Sequence, residues 1–400
     1  GTGNPPYPGV QVYTYTGIVN VPVGCGTVTF GTTECCRNGA INNLPTPDSR
    51  DLAIYATVNN TIDPLTGQPY CNTSVAFTNQ PVPFFCLGSN VTFNHGAVDV
   101  DGDSLVFELV NPMEGFSLPY NNITFNGGYT VNCPIRTVPA NSFNFNTQTG
   151  QMQFVPGFQE QCALAVRIYE YRNGVLVGTT MRDIQVVILN CAIAIPDQDP
   201  ITNVQNGSQV DSLSVQVCPG TALTFDIECT DPANHNLTIT SNLNTTPSAI
   251  PGAHMTQVGT GDTVIARIDW TPIASDTGCH NFVLTAQNND CPINGTYTRV
   301  YTICVFTQVN LLSASPTFCG TPVQLTATGG SNFFWSPSSG PNGVSNPAIL
   351  KPTVSPTSPT MYYFTSDCGT DSVFVDVAPP FLYDAGQGGA ICQNGQLPLN

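Results

Sequence analysis

The stretch AVDVDGDSLVF at 97–107 sets three aspartates at alternate positions, with a glycine between the last two. Carboxylate oxygens are hard ligands, and a short loop that curls turns several of them toward one point, an arrangement suited to Ca²⁺. Gly102 permits the positive φ that such a curl requires. Asp99, Asp101 and Asp103 fall short of the roughly six to eight oxygens calcium takes, so Glu170 is expected to add a fourth carboxylate from the F–G loop at the same pole. Backbone carbonyls or water would supply the rest. The alternative is an Asx-stabilised turn with solvated carboxylates and no ion. Mutual repulsion of close carboxylates favours the ion.

Other chemistry is sparse. His95, His235, His254 and His280 are scattered, and none recurs at its equivalent place in the internal repeat described below. The chain has no HExxH, no GxSxG and no glycine-rich strand–helix loop. Two carboxylates can meet in any fold, so spacing alone leaves glycoside hydrolysis open. No constellation assembles a nucleophile with its base, and the reading is non-enzymatic. Sixteen cysteines point to an oxidising compartment. Zinc thiolates would need close CxxC pairs, and none occurs.

The elements that position these residues follow from composition. The 400 residues include 36 Gly and 34 Pro, only 9 % are charged, and no window holds a helical apolar period. Alternating apolar runs broken by turn residues predict an all-β chain of several domains. No apolar run is long enough to span a membrane. A net charge of −17, with Lys351 the only lysine beside eight arginines, makes nucleic acid a poor partner.

An offset of 132 carries Cys86 onto Cys218, Phe93 onto Phe225, Asp99 onto Asp231 and Leu105 onto Leu237 without a gap. Further on, MQFVP (152–156) matches IDWTP (268–272), and Cys162 is matched with Cys279. Two copies of one module follow, and their short strands and turns predict tandem Ig-like or cadherin-like β-sandwiches arranged end to end. The expected divisions are an N-terminal β module at 1–80, sandwiches at 81–192 and 193–308, a shorter Ig-like or PKD-like sandwich at 309–380, and the start of a truncated repeat at 381–400. In such a sandwich the starts of strands B and F share a pole. That predicts the disulfides Cys86–Cys162 and Cys218–Cys279, with Cys229–Cys291 at the opposite pole of the second copy and Cys319–Cys368 in the third unit. The remaining cysteines stay unassigned.

Four stretches occur in succession: TECCRNGAINNLPTP (33–47), CNTSVAFTNQPVPFFC (71–86), AVDVDGDSLVFELVNP (97–112) and YEYRNGVLVGTTMRDIQVVILNC (169–191). Their order resembles the large surface adhesins of gliding Bacteroidota, of the SprB-like kind secreted by the type IX system. The resemblance covers about residues 1–192, and the later FWSP unit is similar to the Ig-like or PKD-like modules of such proteins. Val75 departs from the family's usual proline. The resemblance implies an extracellular, filament-like protein on the bacterial outer surface, used for attachment and gliding. Its partners would be surface polysaccharide or a solid substratum, with the outer-membrane gliding and secretion machinery reached through regions outside this chain. It also makes Asp-Ser/Thr-aliphatic tripeptides informative as O-glycosylation sites: Ser104, Ser212, Thr263 and Ser372.

Three non-catalytic roles stay open at this stage: an adhesin, a purely structural stalk or sheath, and a glycan-binding module. Tyr120, Phe158 and Phe333 would favour glycans if they stood exposed in loops, whereas Trp270 and Trp335 are expected in cores.

Overall fold

The computed structural model describes residues 12–22, 24–79, 83–291, 293–311, 317–318, 321–338 and 343–378. They form an all-β tandem of sandwiches, with helix limited to two short 3-10 turns.

The first sandwich opens with β1 (Thr27–Glu34) and β2 (Leu52–Asn59), then β3 (Ala76–Phe77), β4 (Phe84–Cys86), β5 (Val91–Phe93) and β6 (Ala97–Val98). After these come β7 (Ser104–Val110), β8 (Met113–Glu114), β9 (Asn121–Asn122), β10 (Asn144–Phe145) and β11 (Met152–Phe154). Two long strands, β12 (Gln161–Arg172) and β13 (Val175–Leu189), complete it. The large sheet runs β7-β12-β13-β2-β8-β9, with β1 added to β2 and β4 to β13. A three-stranded sheet, β10-β11-β5, lies on the other side of the core. Asn173 and Gly174, both at positive φ, turn β12 into β13, the Asn-Gly pair that a tight hairpin favours.

Cys162, Leu164, Val166 and Ile168 of β12 alternate into the core against Phe93, Phe107, Met152 and Phe154. The intervening Ala163 and Ala165 are just as buried, under Ile41, Leu44 and Ile123 and under Ala53, Met113 and Met181. A strand covered on both faces loses its polar alternation. The covering segment belongs to the stretch expected as a separate module at 1–80. That boundary is corrected here, because β2 pairs with β13 inside the large sheet. Two contacts tie the segment down. Asn43, fully buried, donates to the carbonyls of Ala163 (2.7 Å) and Pro134 (2.9 Å) and accepts from Ala163 N–H (2.9 Å). The Arg37 guanidinium pairs with Asp183 at 2.7 Å, both side chains being only 2 % exposed.

The second sandwich comprises β14 (Asp197–Gln198), β15 (Thr202–Gln205), β16 (Ser208–Gln209), β17 (Ser214–Val217) and β18 (Leu223–Thr230). It continues with β19 (Leu237–Ser241), β20 (His254–Val258), β21 (Thr263–Trp270), β22 (Gly278–Asn288) and β23 (Thr296–Val305). One sheet runs β14-β18-β21-β20 with β15 on β18, the other β16-β17-β23-β22-β19. Phe225, Ile268 and Trp270 from the first meet Phe282, Leu284 and Tyr301 from the second, each strand alternating with period two. The first two sandwiches also touch: β23 lies against β5, and Gln151 Nε2 donates to the Thr298 carbonyl at 3.1 Å.

The third unit holds β24 (Asn310–Leu311), β25 (Thr317–Phe318), β26 (Val323–Gln324), β27 (Ala327–Thr328) and β28 (Phe334–Pro337), then β29 (Thr353–Val354), β30 (Thr360–Ser366) and β31 (Gly369–Val377). Its core gathers Trp335, Tyr362, Phe364, Val373 and Val375. The described chain divides into two compact units, one holding the first two sandwiches apart from residues 273–277 and the other holding the third.

Candidate metal centre

Asp99 leaves β6 and Asp103 enters β7, so the loop between two core strands fixes both ends of the acidic stretch. Oxygens of Asp99, Asp101 and Asp103 lie within 4.8 Å of one another. The loop closes on itself through Asp103 N–H donating to Asp99 Oδ1 at 2.9 Å, and Gly102 takes φ +81°. Asp101 is held from outside, accepting from Thr73 N–H (2.6 Å) and Thr73 Oγ1 (3.2 Å).

Glu170 stands on strand β12 rather than in a loop, paired with Leu105 of β7, and it is fully buried. Asn72 Nδ2 donates to its Oε2 at 2.6 Å and Thr180 Oγ1 to its Oε1 at 3.0 Å. Gly178 of β13 faces it. A Cβ there would lie 2.9 Å from Glu170 Oε2 and 2.6 Å from Asn72 Nδ2, so a larger residue would push both side-chain ends aside.

Sequence reasoning missed Arg172. Its guanidinium grips Asp103 through Nε (2.7 Å) and Nη2 (2.8 Å) and lies 3.2 Å from Asp101. Arg172 comes from the tip of the β12–β13 hairpin, and only the fold reveals that it points at the aspartates. One positive charge thus meets four carboxylates. Asp99 Oδ2 is buried with no protein partner. Burial, assisted by Asp103 and Asp101, raises the Asp99 carboxyl above its ordinary range. Glu170 is raised as well, first by burial, with the Asn72 and Thr180 hydrogen bonds opposing and Asp99 and Asp103 adding. Hard oxygens around an orphaned buried acceptor fit a hard divalent cation. The self-closing loop is also the Asx turn, so the two readings share one geometry.

The second sandwich supplies an internal control. Leu105 pairs with Glu170 and Leu237 with Asn288, so Asn288 occupies the place of Glu170. Its Nδ2 donates to Asp231 Oδ2 at 2.6 Å. Asp231 Oδ1 accepts from the N–H groups of Ala233 (2.9 Å) and His235 (3.0 Å). Burial works against the Asp231 anion, yet the bonds from Asn288, His235 and Ala233 hold its carboxyl below the usual range. The Asp231 carboxylate is thus satisfied by hydrogen bonds on both oxygens.

The expected disulfides are corrected. Cys86 is joined to Cys191 (Cα–Cα 5.1 Å), and Cys162 is a buried free thiol, its pKa raised by burial. Cys279 is joined to Cys304 directly across the β22–β23 pair (Cα–Cα 4.0 Å), and Cys218 is bonded elsewhere. The cause is a slip of one residue. The pairs Leu105–Glu170 and Leu237–Asn288 place Cys162 opposite His280, not Cys279, and a one-residue shift moves a side chain to the other face of a sheet. Cys162 therefore faces the core, while Cys279 is exposed. Cys229 and Cys291 are both free, the first buried in the core with its thiol pushed up to about 12 by desolvation, the second exposed. Cys319 lies outside the described residues, and Cys368 is disulfide-bonded. Adjacent Cys35 and Cys36 are joined to each other.

The histidines serve packing and turns. His95 is fully buried beside Phe77 and Phe93, and desolvation, with the Arg182 charge, lowers its pKa to about 3. His280 packs edge-on against Trp270. His235 Nδ1 lies 3.2 Å from Asp231. His254 is exposed on β20. Trp270 and Trp335 are buried, and Phe333 stacks on Phe364. Tyr120 packs against Gly31, and Phe158 is 49 % exposed beneath the Arg136 guanidinium. Ser104, Ser212, Thr263 and Ser372 are all exposed.

No protein-family model and no curated protein matches the chain. Among solved structures, the titin I-band fragment I67–I69 is similar over 77 % of this chain and 99 % of its own, at 11 % identity and a TM-score of 0.28. Human CDH23 EC21-23 is similar over 76 % of this chain and 100 % of its own, at 15 % identity and a TM-score of 0.24. A C-terminal fragment of intimin, in complex with the intimin-binding domain of its translocated receptor, is similar over 44 % of this chain and 63 % of its own, at 14 % identity and a TM-score of 0.26. Such neighbours are tandem Ig-like and cadherin-like domains. Among the described residues no helix is long and apolar enough to cross a membrane.

Proposed function

We propose that the chain is a non-catalytic, extracellular segment of a long surface adhesin, in which stacked sandwiches carry an attachment region away from the cell. The observation that supports it most is the repetition itself. One sandwich is built twice in succession, and each copy carries a disulfide: Cys86–Cys191 ties the end of β4 to the chain just past β13, and Cys279–Cys304 ties β22 to β23. Repeated, cross-linked sandwiches set length and resist unfolding without a reactive centre. The succession of four stretches at 33–191 adds the finer reading, an outer-surface filament of the gliding, type IX secreted kind. Exposed Asp-Ser/Thr-aliphatic sites at Ser104, Thr263 and Ser372 would then carry O-glycans.

In this reading the acidic pole of the first sandwich holds Ca²⁺ through Asp99, Asp101, Asp103 and Glu170. The ion would supply the positive charge that Arg172 alone does not, locking the β6–β7 loop to β12. The test of location is immunogold labelling of intact producing cells with antibody to residues 81–308. Labelling along surface filaments is expected, and label confined to the cell interior would contradict the proposal. The contact from Gln151 to Thr298 favours a second, purely structural role as a stiffened stalk.

A further inference from the structure

We propose that the cleft between the first and second sandwiches binds a neutral oligosaccharide. This deepens the adhesive reading above and rests on it.

The cleft has a volume of about 770 Å³, within the range of pockets that hold small ligands. One wall is the β10–β11 hairpin; the other is the turn before β17 together with β23. Asn144, Asn146 and Gln153 stand exposed on the first wall. Asn146 Oδ1 is committed to the N–H groups of Gln148 (2.9 Å) and Thr149 (3.1 Å), which turns its amide nitrogen into the free donor. Gln151 also lines the cleft. Its Nε2 donates to the carbonyls of Phe93 (2.8 Å) and Thr298 (3.1 Å), so the residue spans both sandwiches.

Charge selects the ligand class. The chain carries −17, yet the charged lining of this cleft is one aspartate and one arginine. Both are engaged internally. Arg299 Nη1 donates to the Gln198 carbonyl at 2.8 Å, and its guanidinium lies over the Tyr297 ring. Asp211 Oδ1 accepts from Leu213 N–H at 2.7 Å. What remains for a ligand is a set of amides and hydroxyls, with the half-buried Phe145 as an apolar edge. Neutral donors and acceptors beside an aromatic edge match a sugar's hydroxyls and C–H face. An anionic ligand would find no free cation.

The test is calorimetry on the unmodified recombinant chain with cellohexaose, laminarihexaose and mannohexaose, and with hexagalacturonate as an anionic probe. Asn146→Ala and Gln153→Ala alter exposed cleft residues, and Glu228→Gln, exposed on β18 and away from the cleft, is the control. At least one neutral hexasaccharide should bind, with both cleft variants weakening it roughly fivefold or more and E228Q leaving it unchanged. Absence of binding by all three neutral probes, full affinity in N146A and Q153A, or binding of hexagalacturonate alone would each overturn the assignment. Surface attachment that persists in N146A and Q153A removes the cleft and leaves the adhesive reading standing. Sugar binding without attachment does the reverse.

Discussion

Asn288 donates to Asp231 at 2.6 Å, and at the same place in the first sandwich the donor is replaced by a carboxylate, Glu170, close to Asp99. One pole satisfies its aspartate with an amide. The other concentrates acids and leaves Asp99 Oδ2 bare. If Ca²⁺ fills that need, millimolar calcium should raise the first melting transition of the full chain by about 3–8 °C. Hydrogen exchange should slow at 97–105 and 168–180 and stay unchanged at 229–237. Equal rates with calcium and with EDTA at both poles would leave the loop a turn held by Arg172.

A pH series separates the same alternatives. Asp99 and Glu170 have folded-state pKa values above their unfolded ones, so without an ion their contribution is fully present below the unfolded pKa and is lost as pH rises through the folded value. In EDTA, acidification from neutrality toward about pH 4 should therefore raise the protection factors at this pole, exchange being taken relative to its intrinsic rate at each pH. In calcium it should lower them, because protons displace the ion. Glu170→Gln, which imitates Asn288, should add roughly 1 kcal/mol in EDTA and abolish the calcium response.

Removing Asn43 should cost far more than its place in a loop suggests. Asn43→Ala strips hydrogen bonds from the buried backbone of Ala163 and from Pro134. The expected loss is about 2–4 kcal/mol in urea unfolding of the unit containing residues 24–305. A change within error would mean that water replaces the side chain.

A non-reducing peptide map should join Cys86 to Cys191 and Cys279 to Cys304, with Cys162 and Cys229 alkylated only after unfolding. The paired replacement Cys86→Ser with Cys191→Ser opens a loop of 105 residues, for a loss of roughly 3–5 kcal/mol. Recovery of Cys86 linked to Cys162 would restore the pairing read from sequence.

Local pattern revealed much of this molecule. Gap-free alignment of Asp99 with Asp231 and of Leu105 with Leu237 located the acidic loop and its degenerate copy, and alternation gave the strands and the two buried tryptophans. What failed depended on facing. Cysteine was aligned with cysteine at 162 and 279, but the gap between the copies differs by one residue, and that parity decides whether a side chain enters the core. Ala163 and Ala165 carry no polar warning, yet their small apolar side chains allow a second layer to cover β12, which made the 1–80 stretch part of the first sandwich. Arg172 was invisible as a partner because a hairpin tip brings it across 69 positions to Asp103.

The central claim is attachment without catalysis, and it is tested most directly on beads coated with the recombinant 1–400 chain and washed over polysaccharide-coated and bare glass. The account predicts retention above beads carrying an inert protein, lost when the chain is reduced and unfolded and unchanged by Asp99→Asn in calcium-free buffer. Retention no greater than that of the inert protein on every surface would contradict it and leave only the stalk.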